Sequence, residues 1–119
     1  MNATDIPESF FGKPIKLFFR GANLRGSNFR ETNLIGVNFK MSNLRSADFR
    51  YCSAQFANFR FALFKFANFR DANLRFAIFE KANFGGAKLF GADLSKAKWD
   101  EHTIWPSGIG RIKSTKREK

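Results

Sequence analysis

Residues 57–76 read Ala-Asn-Phe-Arg-Phe, Ala-Leu-Phe-Lys-Phe, Ala-Asn-Phe-Arg-Asp and Ala-Asn-Leu-Arg-Phe. The same five-residue frame continues without an insertion over residues 22–101, and a bulky apolar residue stands at every fifth position from Phe19 to Trp99, except at Ala54. A period of five matches neither the 3.6 of an α-helix nor the 2.0 of a flat strand. The chain must therefore turn a corner every few residues and stack on itself.

The pentad consists of a small residue, then usually Asn or Asp, then a large apolar residue and two outward residues. It resembles the pentapeptide-repeat family over residues 17–106. The resemblance implies an all-β fold, a right-handed quadrilateral β-helix of about four coils, in which four pentads make one square coil. That family includes DNA-mimicking proteins that protect a topoisomerase and many members without an assigned activity. The resemblance therefore indicates architecture far better than function.

The large apolar residues sort by type when positions four pentads apart are compared, as a square coil requires. One column is entirely aromatic, with Phe19, Phe39, Phe59, Phe79 and Trp99. Another column contains no aromatic residue, with Leu34, Ala54, Leu74 and Leu94. If coils are spaced like neighbouring strands, roughly 4.8 Å apart, successive rings fall within the range of about 4.5–7 Å where stacking is favourable. The sequence therefore predicts an interior built of ladders.

The length of 119 residues and the unbroken frame predict one domain. A repeat stack needs covered ends, and we assign residues 1–16 as an N-terminal cap and the last residues of 17–106 as a C-terminal cap. Ile104, Trp105 and Pro106 are the candidates for closing the C-terminal end. Residues 107–119 are basic and contain Gly, which predicts a disordered tail.

Cellular location is predicted from what the chain lacks. No basic region followed by an apolar run indicates a secretory signal, and no apolar stretch approaches the roughly 20 residues of a membrane span. The single cysteine, Cys52, fits a reducing cytoplasm. It occupies the slot that Ala fills elsewhere, so we interpret it as a structural residue rather than a reactive thiol.

Catalytic chemistry finds little support in the sequence. The lone histidine, His102, has no Cys or acidic cluster at metal-ligand spacing, and the carboxylates are spread over different faces. The Asn and Asp residues before each central residue have a structural explanation, because their side chains bond to nearby backbone in tight turns. We therefore predict no enzyme, no cofactor or metal, and no small-molecule substrate.

The first outward feature is a set of cations directly after the central residues. By column these would form like-charged rows, which is mildly destabilising. Either an anionic partner favours them, or Arg stems cover apolar rings while their heads stay solvated. The net charge of +11 argues against DNA mimicry and would attract nucleic acid instead. The candidate anion-binding residues are Arg25, Arg30, Arg45, Arg50, Arg60, Arg70 and Arg75.

The second outward feature is apolar and lies mostly at pentad corners in the middle of the array. Such a group either forms an interface-sized patch or shields itself along the coil edges. The candidate interface residues are Tyr51, Phe56, Phe61, Leu63, Phe66, Phe76 and Ile78.

Three functions are open at this point. We favour a non-catalytic binding scaffold for protein–protein interaction or for self-association as a homo-oligomer. The alternative is binding of nucleic acid or another anionic surface through the Arg/Lys rows and the basic tail. A purely structural solenoid would use neither surface.

Overall fold

The structure is a computed structural model and describes residues 19–107. The predicted N-terminal cap, and the tail beyond residue 107, lie outside the described residues. Within them the chain forms a right-handed quadrilateral β-helix, as predicted. Its strands are so short that neighbouring coils are joined by isolated parallel bridges, such as Asn43 with Leu63 and Leu63 with Asn83.

The coil has four faces, and the chain returns to the same face after every four pentads. Pentads 22–26, 27–31, 32–36 and 37–41 lie on faces 1, 2, 3 and 4. The pentad 20 residues later lies on the same face, one coil further along the helix. The bridges join residues 20 apart on every face, except for the last one, which joins Asn83 to Ile104. Residues with the same pentad position on one face therefore lie directly above one another in successive coils.

Each corner is a tight turn that starts at the central residue. At one corner the N–H of Ala62 donates to the carbonyl oxygen of Phe59, at 3.0 Å. Phe61, at the third position of this turn, has a φ of 62°. A positive φ at the third position only is the signature of a type II turn, which favours Gly. Gly26 and Gly36 hold this position at other corners, with φ of 72° and 73°.

The Asn before each central residue stabilises the turn that follows it. Its side-chain oxygen accepts a hydrogen bond from the backbone N–H two residues later. Asn58 accepts from Arg60 and Asn68 accepts from Arg70, both at 3.0 Å. This arrangement recurs around the helix and explains the choice of Asn or Asp at that position. Leu63 occupies the same position without such an oxygen.

The core consists of the predicted stacked columns. Along one column the rings of Phe39 and Phe59 are 5.0 Å apart and those of Phe59 and Phe79 are 5.2 Å apart, with nearly parallel planes. Rings of the columns on opposite faces 2 and 4 meet edge to face, as Phe49 and Phe59 do at 6.0 Å and 88°. Both geometries are favourable for aromatic pairs.

The five-residue register continues through Ala54, the one small central residue, where the sequence alone leaves the register from Ser53 to Phe56 open. Ala54 is fully buried, and Ser53 before it bridges Asn33 and Asn73. Phe56 points outward, so it does not replace Ala54 in the core. Cys52 is buried in the Ala slot, where burial raises the pKa of its thiol and disfavours the reactive thiolate.

The last coil departs from the four-pentad spacing by one residue. Asn83 bridges Ile104, and the next residue, Trp105, stacks on Phe84 with ring centroids 4.9 Å apart. The side chain of Ile104 is exposed, so Trp105 is the candidate cap residue that lies over the aromatic column. Buried Thr103 supports this end, because its hydroxyl donates to the carbonyl oxygen of Phe79 at 2.9 Å.

Candidate binding surfaces

Four of the seven candidate interface residues lie along face 4 and its two edges. Phe56 and Phe76 share the corner between faces 3 and 4 and stack with centroids 4.8 Å apart and planes within 7°. Phe61 stands at the corner between faces 4 and 1, and half-buried Ile78 lies between the two corners. Exposed Met41 lies one coil from Phe61 in the same column. We call Met41, Phe56, Phe61, Phe76 and Ile78 the face 4 patch.

The other three candidates lie elsewhere. Half-buried Leu63 is on face 1, and Phe66 stands at the corner between faces 1 and 2. Tyr51 is at the corner between faces 2 and 3, where the Arg30 guanidinium lies 5.9 Å from its ring centroid. The structure therefore distributes the seven residues over all four corners rather than in one patch. Phe90, which is 75% exposed, is a further apolar residue that the sequence-based set omitted.

The aromatic corners have a backbone conformation that is unfavourable for any residue with a Cβ, and they share it with polar corners such as Ser46 and Lys81. Phe56, Phe61, Phe66 and Phe76 have φ of 62–64°, a region that costs an L-residue with a Cβ roughly 1–2 kcal/mol. Cations lie over some of these rings. Lys81 Nζ is 5.3 Å from the ring centroid of Phe61. Such contacts offset part of the backbone cost, but they do not explain why Gly is absent.

Four of the seven candidate anion-binding residues already have a carboxylate partner. The ion pairs join Arg50 to Asp48 at 2.7 Å, Arg60 to Glu80 at 3.1 Å, Arg70 to Asp71 at 3.6 Å and Arg75 to Asp93 at 4.0 Å. These pairs are partly exposed, so each contributes little to stability. They do reduce the charge that the four arginines present to a ligand.

The Arg50–Asp48 pair has the closest contact of the four. Arg50 donates from Nε and Nη2 to the two carboxylate oxygens of Asp48, at 2.9 and 2.7 Å. This side-chain hydrogen bonding is the largest cause that holds the pKa of Asp48 below its usual value. For Asp93 the first cause of a lowered pKa is a hydrogen bond from the Ser95 hydroxyl, with Arg75 contributing less.

Face 1 differs from the other three faces in its charge. Arg25 and Arg45 lie above one another, and Lys65 continues the row in the next coil. Over residues 19–107, face 1 carries no carboxylate, and no ion pair involves these three side chains. We call Arg25, Arg45 and Lys65 the face 1 row. The remaining candidate, Arg30, lies on face 2, which also carries Asp48.

The described part of the chain contains neither a cluster of metal-ligating side chains nor a helix of the length and apolarity that a bilayer crossing requires. Its interior is filled by apolar side chains, and its charged side chains lie on the outside. These features define a repeat fold with a filled interior and charged and aromatic side chains on its outside. The chain belongs to the pentapeptide-repeat family, because the family model described as pentapeptide repeats (8 copies) matches it over residues 19–50, 42–75 and 67–98. Members of that family are generally structural or interaction scaffolds.

Two solved structures of the family resemble this chain closely. A pentapeptide repeat protein from Nostoc PCC 7120 is 29% identical with a TM-score of 0.82, and the match covers 87% of this chain and 86% of the other. One from the Arabidopsis thaliana thylakoid lumen is 34% identical with a TM-score of 0.72, covering 73% of this chain and 60% of the other. No curated protein matches in sequence. The cytoplasmic location of this chain stays a prediction.

Proposed function

We propose that this protein is a non-catalytic scaffold that binds another protein through the face 4 patch. The observation that carries the proposal is the exposure of Phe56, Phe61 and Phe76, three rings that are 38–58% exposed on the two edges of one face. Exposed apolar residues that are grouped on one face mark interaction sites, whereas single scattered ones do not. Three exposed rings on two edges of one face therefore favour a binding surface over a merely structural one.

The patch has the composition of a protein interface. The stacked rings of Phe56 and Phe76 form one edge and Phe61 the other, with half-buried Ile78 between them. Aromatic residues and Met are enriched at the centres of interfaces, whereas polar groups form the rim. The Arg60–Glu80 ion pair lies on the same face and supplies such a polar group.

The charge of the chain favours an acidic partner over a second copy. At a net charge of +11, two copies repel each other as they approach. An acidic protein is attracted by the same field, which raises the rate of encounter. Self-association, which the sequence left open beside partner binding, is therefore the less favoured occupant of the patch.

The test uses a displayed library of acidic peptides that carry apolar residues, selected on the full chain. Replacing Phe56, Phe61 and Phe76 by Gly removes the rings and suits the positive φ, so the variant stays folded. We expect selected peptides to lose binding to this variant and to keep it for Phe90→Ser, which removes an exposed ring on face 2. A library without binders, or peptides that bind both variants equally, contradicts the proposal. Concentration-dependent mass in light scattering that the Gly variant abolishes would indicate a second copy instead.

A second candidate function, binding of a polyanion, is supported by the face 1 row. Its three aligned cations share a face that carries no carboxylate over residues 19–107, and none of them forms an ion pair there. We expect Gln at Arg25, Arg45 and Lys65 to lower the salt concentration that elutes the protein from heparin. Gln at Arg50, Arg70 and Arg75 removes the same number of charges and is the matched control. Equal shifts for the two variants would contradict a site on face 1.

A further inference from the structure

The geometry points to single-stranded nucleic acid as the ligand of face 1, with its phosphates on Arg25, Arg45 and Lys65 and one base on the ring of Phe66. This inference rests on the second candidate function and adds the class of ligand and the base-binding residue. It is independent of the face 4 patch.

The face 1 row runs across three coils, so its three cations span on the order of 10 Å at the usual strand spacing. The neighbouring Asn residues add donors. Asn23 Oδ1 accepts the backbone N–H of Arg25 at 3.3 Å, and Asn43 Oδ1 accepts that of Arg45 at 3.2 Å. The Asn43 amino group donates to Asn23 Oδ1 at 3.4 Å, and because an amide has two N–H donors, one remains for a ligand. Arg, Lys and amide donors together suit a phosphate backbone.

An aromatic ring stands at the end of this row. Phe66 follows Lys65 directly and is 63% exposed, with the Lys65 ammonium 5.5 Å from its ring centroid. In the next coil the two corresponding positions are Gly85 and Gly86. A Cβ at Gly86 would lie 3.0 Å from the Phe66 ring, closer than ordinary contacts. The glycine therefore makes room for the ring to lie against the backbone of the next coil.

A cationic strip that ends in an exposed ring favours an unpaired strand over other anions. Base stacking on an aromatic side chain is tolerant of sequence and requires a base that is free of its partner. A duplex would meet the cations but would keep its bases away from Phe66. An acidic protein segment would meet the cations and gain only apolar contact from the ring. Only a single strand would use both features, with a phosphate on Lys65 and a base on Phe66.

The experiment measures binding of the full chain to a labelled thymidine oligonucleotide of about 12 nucleotides by fluorescence anisotropy at several salt concentrations. Changing Arg25, Arg45 and Lys65 to Gln should make the plot of log K against log salt shallower by about 2, since each phosphate contact to a single strand contributes about 0.7. The control with Gln at Arg50, Arg70 and Arg75 should keep the steeper slope. Equal slopes for the two variants would show general charge attraction and overturn the inference.

The base contact is tested separately with Phe66→Gly, which suits the positive φ of this corner. Loss of one stacked base should weaken binding roughly 5- to 150-fold without changing the salt slope, whereas Phe90→Ser should have no effect. Unchanged affinity of Phe66→Gly, or equal affinity of the wild type for a duplex of the same length, would contradict the inference. If heparin retention still depends on the face 1 row in that case, polyanion binding stands and only the nucleic-acid assignment fails. If heparin retention is also unaffected, both fail.

Discussion

The indole of Trp105 lies flat on the ring of Phe84, with planes within 3° of each other, although Trp105 stands one position beyond a full coil from Phe84. The extra residue is taken up in the turn before Trp105, where the N–H of Thr103 donates to the carbonyl oxygen of Asp100 at 3.1 Å. The indole also meets Trp99 edge-on at 5.3 Å. One wide ring thus contacts two columns of the core at the C-terminal end.

Trp105→Ala should lower the free energy of unfolding by about 2–4 kcal/mol, somewhat less than for a fully buried aromatic residue. The matched change is Ile104→Ala, which removes a side chain that is 53% exposed and should cost less than about 1 kcal/mol. Urea denaturation measures both values. Equal losses would mean that Trp105 does not close the stack.

Phe59→Ala should destabilise the protein by about 3–5 kcal/mol, because Phe59 is fully buried in the middle of its column. Arg60→Ala, one residue later, removes an outward side chain and a partly exposed ion pair to Glu80, and should cost less than about 1 kcal/mol. Thermal and urea unfolding of the two variants provide the comparison. A similar loss for both would contradict the assignment of inward and outward positions.

Asn68→Ala should cost about 0.5–1.5 kcal/mol, since it removes the acceptor of the Arg70 backbone N–H. The reverse change is available at Leu63, which holds the same pentad position one pentad earlier. There Asn should give a more stable protein than Ala by a similar amount, because it restores an acceptor for the N–H of Lys65. If Leu63→Ala is as stable as Leu63→Asn, the side-chain bond does not stabilise the turn.

Gly91→Ala should destabilise the protein more than Gly26→Ala does. Both positions have a positive φ, which costs Ala roughly 1–2 kcal/mol, but only at Gly91 would the added Cβ overlap the carboxylate of Asp71. Adding Asp71→Ala to Gly91→Ala should therefore recover the difference, as a double-mutant cycle would report. Additive effects of the two changes would exclude the overlap.

Acid should weaken the fold partly through Asp48. Arg50 lowers the folded-state pKa of Asp48, so the stabilisation is present above the unfolded value of about 3.9 and is lost as the pH falls through the lower folded value. Asp48→Asn keeps the oxygen that accepts the Arg50 backbone N–H but removes the charge. We expect the urea concentration at the unfolding midpoint to decrease less for this variant than for the wild type when the pH is lowered from neutral to about 3. Glu31→Gln, which forms no ion pair within residues 19–107, is the control and should behave like the wild type.

The frame of five predicts much of this molecule because every core position repeats it. The columns and the corner glycines follow from spacing, whereas spacing left open whether Ala54 or Phe56 packs inward. The one-residue shift before Trp105 is also visible in the sequence. Thr103 and Trp105 have the small and large residue types of a pentad, but each stands one residue after the position that the frame predicts.

The surface was less predictable because it depends on how far long side chains reach. Arg60 and Glu80 hold the same pentad position in successive coils, so their pairing could have been inferred from the frame. Arg75 and Asp93 hold different pentad positions and meet only diagonally, which spacing alone does not determine. The aromatic corners form separate groups because consecutive corners, such as those of Phe61 and Phe66, bound opposite edges of a face.

The square coil gives insertions and deletions an unusual meaning for this chain. Gain or loss of four pentads adds or removes one coil and leaves every later side chain on its face. Gain or loss of a single pentad would keep the core slots filled but turn everything after it by a quarter. Lys65 would then leave the line of Arg25 and Arg45, so the surfaces of such a protein can be recombined by length changes alone, without altering one residue type.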